Sequence, residues 1–563
     1  MKNILSKVWG FIKKYKFILL AIILLIIIIF VIVKFVYPEI HKRNLTNENW
    51  LRNHIDIVLN DNYGENIYYV EKDKDIDIFT ETYQNIIEDK IKELLNNNDY
   101  TLEEPLMIVN PYGTNSSGIN IYYNSEDNAT LDYTIKADDT TDFTRTLIEK
   151  DGPDYEYQII GLVPGKENNL TLELKKDDEV AQTKEISIDM PNTDSDVDVQ
   201  LDVENGDSKA ELTDGLYALL GHDKNFNSNI YLYDNDGTLR SELDLDSYRT
   251  DRIIFIDNDM IYCYKKDGFI RVDSTGKIVD FYDIDGYIMH HDFVYDEDNN
   301  KLVILANKAG ADTIEDRVIT LDLDTKKVEE VLDMHDCLSD FYDTATVPEQ
   351  GNTYGGDELD WIHLNSLQVI DGKDILLSSR ETSSIIRINN FYDNPEIEYL
   401  LVDDSMLEGT SYEDLAYEKV GDFVSHAGQH TVTYTTSDDL EDGQYYITIF
   451  NNNYGGARTR PDFDWSNYPG VGTYEDGTHS MFYKYLVDEN EKTYELVDSF
   501  DVPYSSIVSS IEYFGDNIVV SSGKDHSFGE YDEDGNLIRQ FNYTSKKYAY
   551  RAFKYTFGDV WFD

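Results

Sequence analysis

The chain has 563 residues, of which 110 are Asp or Glu and 48 are Lys or Arg, so its formal net charge is −62 at pH 7. A protein needs a basic surface to bind a polyanion, and this balance excludes nucleic acid as a partner. The two cysteines, Cys263 and Cys337, are too few for a disulfide framework and lack the Cys-x-x-Cys spacing of redox and zinc sites. Whether these two thiols are bridged stays open.

The amino terminus has the pattern of a membrane anchor. Residues 1–37 contain no acid, and five lysines precede an unbroken apolar run of 17 residues at 17–33. This run is near the length that spans a bilayer, and no small-residue cleavage site follows it. Because a positive flank stays cytoplasmic, we expect a cytoplasmic tail at 1–16, a single transmembrane helix at 17–37 and the remaining domains outside the cell membrane. Six of the basic residues and none of the acids lie in 1–37, so the outer part carries a formal charge of −68.

The next two segments differ in their apolar periodicity. Residues 38–100 are predicted to form a partly helical connector, because 79–95 carries apolar residues at helical spacing. Residues 101–190 alternate apolar and polar residues in short stretches separated by turns, which predicts a small β-sandwich domain. Its strands are expected at 118–123, 129–136, 155–162, 169–175 and 182–188. The polar and acidic stretch 191–206 is interpreted as a linker.

From 207 to 563 one signature recurs, in which an apolar strand, a tight acidic or Asn-rich turn and a second strand follow one another. Six such hairpins are found at 233–240, 272–278, 321–328, 388–397, 486–495 and 531–538. Four strands per unit at blade-sized intervals predict a six-bladed β-propeller, although a seventh or a misassigned blade stays open. The expected fold is therefore all-β, with a transmembrane helix and a β-sandwich before the propeller. Insertions near 336–360, 400–428 and 452–480 are expected on one face, where loops build function.

Three stretches within this region can be aligned, and each begins with a polar residue where a buried strand should be apolar. The stretches 291–295, 365–369 and 430–434 begin with His291, Asn365 and His430. Their third and fifth residues are large and apolar, so the two-residue period of a strand places the first residue on the core-facing side. Each stretch precedes a second apolar strand, and these strands end in Asn307, Arg380 and Asn451. A hairpin would make these last residues cross-strand neighbours of the opening ones.

Two further residues join this set. His363 lies two residues before Asn365 and shares its face, and Ser509 has the same phase in the segment 509–513. On the inner strands of successive propeller blades, all of these side chains would surround one point. Placing so many donors and titratable groups at one end of a core is costly unless a ligand binds there.

Arg380 indicates the charge of that ligand. A buried arginine without a nearby acid is rarely structural, and Glu381 is expected to point to the opposite face of its strand. The guanidinium presents a fork of donors that suits an anion. Three histidines would also suit zinc or copper, but a fixed cation at the same centre would repel a divalent ion. We therefore expect no metal and no other cofactor.

Several of these segments carry a family resemblance. Met289-His-His-Asp-Phe293, Asp360-Trp-Ile-His-Leu-Asn-Ser-Leu367 with Ser378-Ser-Arg380, and Gly428-Gln-His-Thr431 resemble the hallmark segments of the arylsulfate sulfotransferase family. Its members are extracytoplasmic bacterial enzymes with a six-bladed propeller behind a small β-sandwich. The segments 110–118 and 161–165 resemble the family's amino-terminal domain more weakly. The chain departs from the family in lacking the close cysteine pair that some members bridge, and in having an anchor where they have a cleaved signal.

The resemblance implies a role for each residue. His430 would be the nucleophile that accepts the sulfuryl group from a phenolic sulfate ester and passes it to a phenolic acceptor, in a ping-pong mechanism through a sulfohistidine. His291, His363 and Arg380 would complete the catalytic set, with one of the two histidines acting as general acid and base. His291, His363, Asn365 and Arg380 would bind the oxygens of the sulfuryl group. Substrate-binding roles for Asn451 and Ser509 are predicted from their places in the strand pattern.

The remaining expectations concern the donor and the alternatives. The chain has no Gly-x-x-x-x-Gly-Lys loop, so the donor is not expected to be a nucleotide sulfate. The main alternative is a non-catalytic, envelope-anchored propeller that binds or senses a ligand. The physiological donor and acceptor, the choice between His291 and His363 as acid, and a homodimer through the amino-terminal domain stay open.

Overall fold

The computed structural model describes residues 9, 13–15, 34, 42–125, 129–150, 152–176, 179–352, 355–468, 471 and 479–563. The predicted transmembrane helix at 17–37 lies outside these residues except for Lys34, and so does most of the predicted tail. Within the described part of the chain, no helix is both long enough and apolar enough to cross a membrane.

The chain divides into two compact units, and the first comprises residues 1–58 and 69–98. Its described elements are α1 (Glu48–Arg52), β1 (Ile55–Leu59), β2 (Ile67–Lys72) and α2 (Glu81–Asn97). The side chain of Thr80 accepts a hydrogen bond from the Tyr83 N–H and caps α2, which buries one apolar face that includes Ile86 and Ile87. The helix predicted at 79–95 is therefore confirmed.

The second unit comprises residues 59–68 and 99–563, and it begins with two small antiparallel arrays. In the first, β3 (Leu106–Val109), β4 (Ile119–Asn124) and β7 (Asp154–Ile159) are neighbours in that order. In the second, β6 (Phe143–Thr146), β5 (Thr130–Ala137), β8 (Glu167–Lys176) and β9 (Glu179–Asp189) are neighbours in that order. The Tyr133 hydroxyl on β5 donates to the Ile160 carbonyl at 3.0 Å, next to the end of β7. All five strands predicted for this segment are present.

Six sheets follow, each with four strands in antiparallel succession. Sheet I contains β11 (Leu216–Leu220), β12 (Ile230–Tyr233), β13 (Leu239–Leu243) and β35 (Arg551–Tyr555). Sheet II contains β14 (Ile254–Ile256), β15 (Asp259–Lys265), β16 (Gly268–Val272) and β17 (Ile278–Asp283). Sheet III contains β18 (Tyr287–Asp296), β19 (Lys301–Lys308), β20 (Arg317–Asp322) and β21 (Val328–Asp333).

The last three sheets continue this pattern. Sheet IV contains β22 (Leu364–Ile370), β23 (Asp374–Ser379), β24 (Ser384–Asn389) and β25 (Glu396–Leu401). Sheet V contains β27 (His430–Thr435), β28 (Gln444–Asn451), β29 (Ser480–Asp488) and β30 (Thr493–Val502), with β26 (Glu418–Val420) added in parallel to β30. Sheet VI contains β31 (Ser510–Phe514), β32 (Asn517–Ser522), β33 (Ser527–Tyr531) and β34 (Leu537–Asn542), with β10 (Asp202–Asn205) added to β34. Each of the six predicted hairpins joins the last two strands in chain order of its sheet, except in sheet I, where it joins β12 and β13.

The two ends of this region are tied into its sheets. The last strand, β35, pairs with β11, where Leu219 lies opposite Ala552. The strand β10 falls inside the predicted linker 191–206, yet Val203 pairs with Phe541 of β34. The linker interpretation was wrong for these residues, because their polar side chains hid a regular edge pairing.

The first strands of sheets III to VI lie against one another in succession. The Leu367 N–H on β22 donates to Asp292 Oδ2 on β18 at 3.2 Å, and the Val432 N–H on β27 donates to Ser366 Oγ at 2.9 Å. Thr431 Oγ1 donates to the Ser509 carbonyl at 3.1 Å, which links β27 to the residue before β31. These strands carry the candidate residues, so the sheet contacts determine where those residues meet.

Short helices lie in or beside the predicted insertions. They are α3 (Met334–Cys337), α4 (Ser339–Asp343), α5 (Asp404–Leu407) and two 3-10 turns at Glu413–Leu415 and Trp465–Asn467. A third 3-10 turn, at Gly523–Asp525, lies outside those insertions. Cys263 is buried, Cys337 is partly buried, and both thiols are free.

Candidate functional site

The inner strands carry the candidate residues on β-bulges. The pairing register shifts between Met289 and Phe293, between Leu364 and Ser366, and between His430 and Thr433. His291, His363 and Thr431 have left-handed backbones, with φ of 59°, 51° and 55°. Bulges of this kind bend a strand and redirect its side chains, and they are frequent beside active sites.

The bulges overturn the predicted cross-strand neighbours. His430 pairs with Phe450 instead of Asn451, and Asn307 pairs with Ile288 instead of His291. Arg380 follows β23, and its N–H donates to the His363 carbonyl at 3.1 Å. The alternation of a regular strand does not continue through the extra residue of a bulge.

Three of the predicted residues nevertheless meet around the ring of Tyr550. The centroids of the His291 and His363 rings are 4.8 Å apart. The Tyr550 ring lies 5.3 Å from His291 and 6.3 Å from His430. The Tyr550 hydroxyl donates to the Asn365 carbonyl at 3.2 Å. The rings of His291 and His430 and the backbone carbonyl of Asn365 thus lie around Tyr550, and the His363 ring packs on His291.

His430 is held by hydrogen bonds at both ring nitrogens. Its Nδ1 lies 2.7 Å from Asn452 Oδ1 and 3.1 Å from the Gly428 carbonyl, and its Nε2 accepts the Val508 N–H at 3.2 Å. Two acceptors at Nδ1 and a donor at Nε2 assign the proton to Nδ1. Burial lowers the pKa of His430 to about 3, against an opposing effect of the Asn452 hydrogen bond. The imidazole is therefore neutral near pH 7 and has a lone pair on Nε2.

His363 has the opposite electrostatic environment. Its Nδ1 lies 2.8 Å from Asp360 Oδ2 and directly against Glu315 Oε2. Burial and the Arg380 charge oppose protonation, but Asp360 and Glu315 outweigh them and raise the pKa of His363 to about 9. The pKa of Glu315 lies well below its usual range despite burial, because His363 and His291 surround it. Burial, together with the Glu315 charge, raises the pKa of Asp360, so Glu315 is the more firmly ionised of the two.

His291 and His290 stay neutral. Their Nδ1 atoms are 2.9 Å apart, and His291 Nδ1 is 3.7 Å from Glu315 Oε1. Burial lowers the pKa of His290 to about 4 and that of His291 well below its ordinary value, although Glu315 opposes both shifts. A neutral imidazole can still donate a hydrogen bond from one nitrogen to a substrate oxygen.

Arg380 has acidic partners that the sequence reading missed. Its Nη2 lies 2.9 Å from Glu381 Oε1 and 3.6 Å from Asp360 Oδ2. The expectation that Glu381 points away was wrong, because the strand β23 ends at Ser379 and its alternation stops there. The other Glu381 oxygen accepts from the N–H and the hydroxyl of Thr459 at 3.0 and 2.8 Å. Thr459 and Glu381 together fix the guanidinium beside His363.

The three predicted substrate-binding residues are buried and partly engaged by the protein. Asn365 Nδ2 donates to the Gln429 carbonyl at 2.7 Å. Asn451 Oδ1 accepts from the Ala427 N–H at 3.0 Å and supports the loop before His430. Ser509 Oγ accepts from the Gly523 N–H at 3.2 Å. Their roles toward a substrate stay predictions.

Several residues beside the site were not found from the sequence. Asn452, one residue after Asn451, is the side chain that contacts His430. Arg551 Nη1 forms a fully buried ion pair with Asp292 Oδ1 at 2.7 Å, and its Nη2 donates to the Asn365 carbonyl at 3.2 Å. Glu315 lies in the loop between β19 and β20, where no motif marks it, whereas Asp360 opens the segment that carries His363.

Among the described residues, two groupings have side chains close enough to hold a metal ion. They are His290, His291 and Glu315, and Glu315, Asp360 and His363, with ligand atoms within 4.8 Å of one another. His430 belongs to neither grouping, so the structure does not assemble the three-histidine site considered above. In the second grouping the Arg380 guanidinium lies 3.6 Å from Asp360 Oδ2, and its fixed charge opposes a divalent ion there. We assign no metal to the site.

The comparisons with known proteins identify the family. The family model described as Arylsulfotransferase (ASST) matches residues 202–555. The chain belongs to the arylsulfotransferase family. The family's Ig-like domain matches residues 106–191, which cover the two arrays β3 to β9. Membership supports aryl sulfotransferase activity.

The other comparisons add little. No curated protein sequence matches the chain. A chain of a nidogen/laminin complex is 9% identical with a TM-score of 0.34, and the match covers 60% of this chain and 97% of that one. An auxiliary nutrient binding protein from Bacteroides thetaiotaomicron is 10% identical with a TM-score of 0.30, with coverages of 76% and 94%. Likenesses of this strength do not inform function.

Proposed function

We propose that this arylsulfotransferase transfers a sulfuryl group from a phenolic sulfate ester to a phenol through a covalent intermediate on His430. The observation that carries the proposal is the state of the His430 ring. It is 2% exposed and neutral, with its proton fixed on Nδ1 by Asn452 and Gly428. The lone pair of Nε2 is then available to attack sulfur when a substrate displaces the Val508 N–H.

In the first half-reaction Nε2 of His430 attacks the sulfur of the donor. The bond between sulfur and the phenolic oxygen breaks, and the resulting phenolate leaves as phenol after taking a proton from one of the two candidate acids, His291 or His363. The sulfuryl oxygens carry negative charge during transfer, so fixed donors beside them stabilise the transition state. Arg380, held by Glu381, is the fixed cation nearest to His363, and His291 and Asn365 supply neutral groups on the adjacent bulges.

In the second half-reaction the acceptor phenol attacks the sulfohistidine. The bond between sulfur and Nε2 breaks, and His430 returns to its neutral form. Two displacements at one centre give ping-pong kinetics. The chain contains no phosphate-binding loop of the Gly-x-x-x-x-Gly-Lys type, which supports a donor other than a nucleotide sulfate.

The proposal extends to architecture and location. Six consecutive antiparallel sheets, with contacts between the first strands of sheets III to VI and the last strand of the chain paired into sheet I, support a six-bladed propeller. The lysine-flanked apolar run at 17–33 supports a single-pass anchor with the catalytic domain outside the cell. The homodimer stays a prediction.

A turnover assay tests the proposal. Purified protein is incubated with a chromogenic aryl sulfate and a phenol without nucleotide, and phenolate release and the new sulfate ester are measured. We expect turnover by the wild type, none by His430→Asn, and wild-type turnover by His335→Asn, which changes an exposed histidine whose ring packs on Tyr342 instead of on a candidate residue. No turnover by folded wild type with any aryl sulfate would instead favour a non-catalytic binding propeller.

A further inference from the structure

We propose that Glu315 is a positioning residue which, together with Asp360, makes His363 the group that exchanges a proton with the phenolic oxygen. This inference rests on the proposed function and assigns the acid and base of the same reaction. The sequence left His291 and His363 as equal candidates, and Glu315 was not among the residues it selected.

The backbone of Glu315 is fixed on both sides. Its N–H donates to Asn307 Oδ1 at 2.6 Å, and its carbonyl accepts from the Leu364 N–H at 2.9 Å. The residue is fully buried, with a left-handed backbone at φ of 59°. A glutamate in this conformation is strained, and strain is retained where the surrounding structure requires the side chain at one place. The carboxylate therefore reaches His363 from sheet III, across the boundary to sheet IV.

Two carboxylates meet a single nitrogen of His363. Glu315 Oε2 lies against Nδ1, and Asp360 Oδ2 is 2.8 Å from the same atom. The Nδ1–H donates to Asp360 Oδ2, and the Glu315 carboxylate lies against the same nitrogen as a negative charge. This fixes the ring and leaves Nε2 as the nitrogen that exchanges a proton with a substrate. The charge of Arg380 is balanced by Glu381, whose Oε1 lies 2.9 Å from Nη2 of the arginine. The negative charge of Glu315 and Asp360 is therefore balanced by a proton on His363, which makes its ring an imidazolium.

The groups that face His363 come from several elements. Glu315 from the loop after β19 and Asp360 from its own segment favour its charged form, whereas Arg380 and the neutral His291 do not. Burial opposes the charge, yet the pKa of His363 is raised to about 9. A phenol such as the tyrosine side chain has a pKa of about 10. General acid and base exchange is most efficient between groups of similar pKa, so His363 is matched to phenols.

The pKa of His291 does not lie near that of a phenol. Its pKa is well below its ordinary value because of burial, so it carries no second proton to give to a leaving phenolate near neutral pH. It remains a neutral hydrogen-bond partner for a sulfuryl oxygen.

The proton then follows the sulfuryl group in a balanced cycle. As His430 Nε2 forms its bond to sulfur and the bond from sulfur to the phenolic oxygen breaks, His363 Nε2–H gives its proton to that oxygen. As the acceptor phenol attacks sulfur and the bond from sulfur to His430 breaks, the phenol gives its proton to His363 Nε2. His363 ends as the imidazolium with which it began.

The test compares two donors in the single-turnover release of phenol. Nitrophenyl sulfate has a leaving group that departs without protonation, whereas the leaving group of phenyl sulfate needs a proton. In wild type we expect the release from phenyl sulfate to fall above about pH 9 and that from nitrophenyl sulfate to stay level. We expect Glu315→Gln to slow the release from phenyl sulfate at least tenfold more than the release from nitrophenyl sulfate. The pH at which the release from phenyl sulfate falls should also be lower in this variant.

The controls separate this inference from a structural role and from the proposed function. Glu315→Asp should recover part of the loss, and urea unfolding verifies that each variant is folded. Equal slowing of both donors with no change in the pH profile would overturn the role of Glu315. If Glu315→Gln does not fold, the wild-type profiles decide alone: identical profiles for the two donors refute His363 as the acid. Absence of release from either donor by wild type would refute the proposed function itself.

Discussion

His430 should remain a neutral nucleophile in mildly acidic solution. A histidine with the ordinary pKa of about 6.5 is neutral in a fraction of about 0.76 at pH 7 and about 0.09 at pH 5.5. Burial lowers the pKa of His430 to about 3, so its neutral fraction stays above about 0.99 over this range. The single-turnover release of nitrophenol from nitrophenyl sulfate should therefore be level between pH 7 and pH 5.5.

The measurement is rapid quenching at each pH, followed by quantification of nitrophenol after the samples are adjusted to one alkaline pH. This donor is chosen because its leaving group needs no proton from His363. An eightfold fall with a midpoint near pH 6.5 would show an ordinary, solvated imidazole and refute the buried, neutral state of His430.

The lowered pKa of His430 also makes the free energy of unfolding depend on pH. The folded pKa of His430 lies below the unfolded value, so its contribution is present above pH 6.5 and is lost as the pH falls toward 3. Between pH 7 and pH 5.5, wild type should lose about 1.3 kcal/mol of unfolding free energy relative to His430→Asn. Urea unfolding of both proteins at the two pH values measures this difference, and an unchanged difference would contradict it.

Three further predictions address the surroundings of the site. Asp292→Asn leaves the buried Arg551 without its charge partner and should cost about 3–5 kcal/mol in urea unfolding, whereas a loss below about 1 kcal/mol would contradict the pairing. Arg380→Lys should still form the covalent adduct, but at least about tenfold more slowly, because an ammonium cannot replace the guanidinium fork. Rapid quenching measures the rate of adduct formation, and an unchanged rate would remove Arg380 from the catalytic set. Burial raises the pKa of Glu512 to about 7, so its stabilising contribution is lost as the pH rises through 7. Glu512→Gln keeps the acceptor for the Lys554 N–H and should gain about 2 kcal/mol relative to wild type between pH 5 and pH 8, and a constant difference would refute this.

The strands and the main site residues could be predicted from the sequence for a common reason. Regular strands obey a two-residue period, so the apolar positions identified the sheets, and the polar residues that break the period identified His291, Asn365 and His430. Tight turns with Asp and Gly identified the six hairpins.

The contacts within the site could not be predicted in the same way. The bulge after His430 interrupts the two-residue period, so Asn452 contacts His430 where Asn451 was expected. Glu381 turns toward Arg380 because the regular alternation of β23 ends at Ser379. Glu315 comes from the loop of a neighbouring sheet, and only the three-dimensional packing of sheet III against sheet IV places it beside His363.

The most direct test of the central claim is the mass of the protein after reaction with an aryl sulfate donor alone. The account predicts a burst of one phenol per enzyme, an added mass of one sulfuryl group that peptide mapping places on His430, and loss of that mass when a phenol is added. His430→Asn should show neither burst nor added mass. A sulfuryl group on another residue, or turnover by wild type with no adduct at any time, would contradict the account.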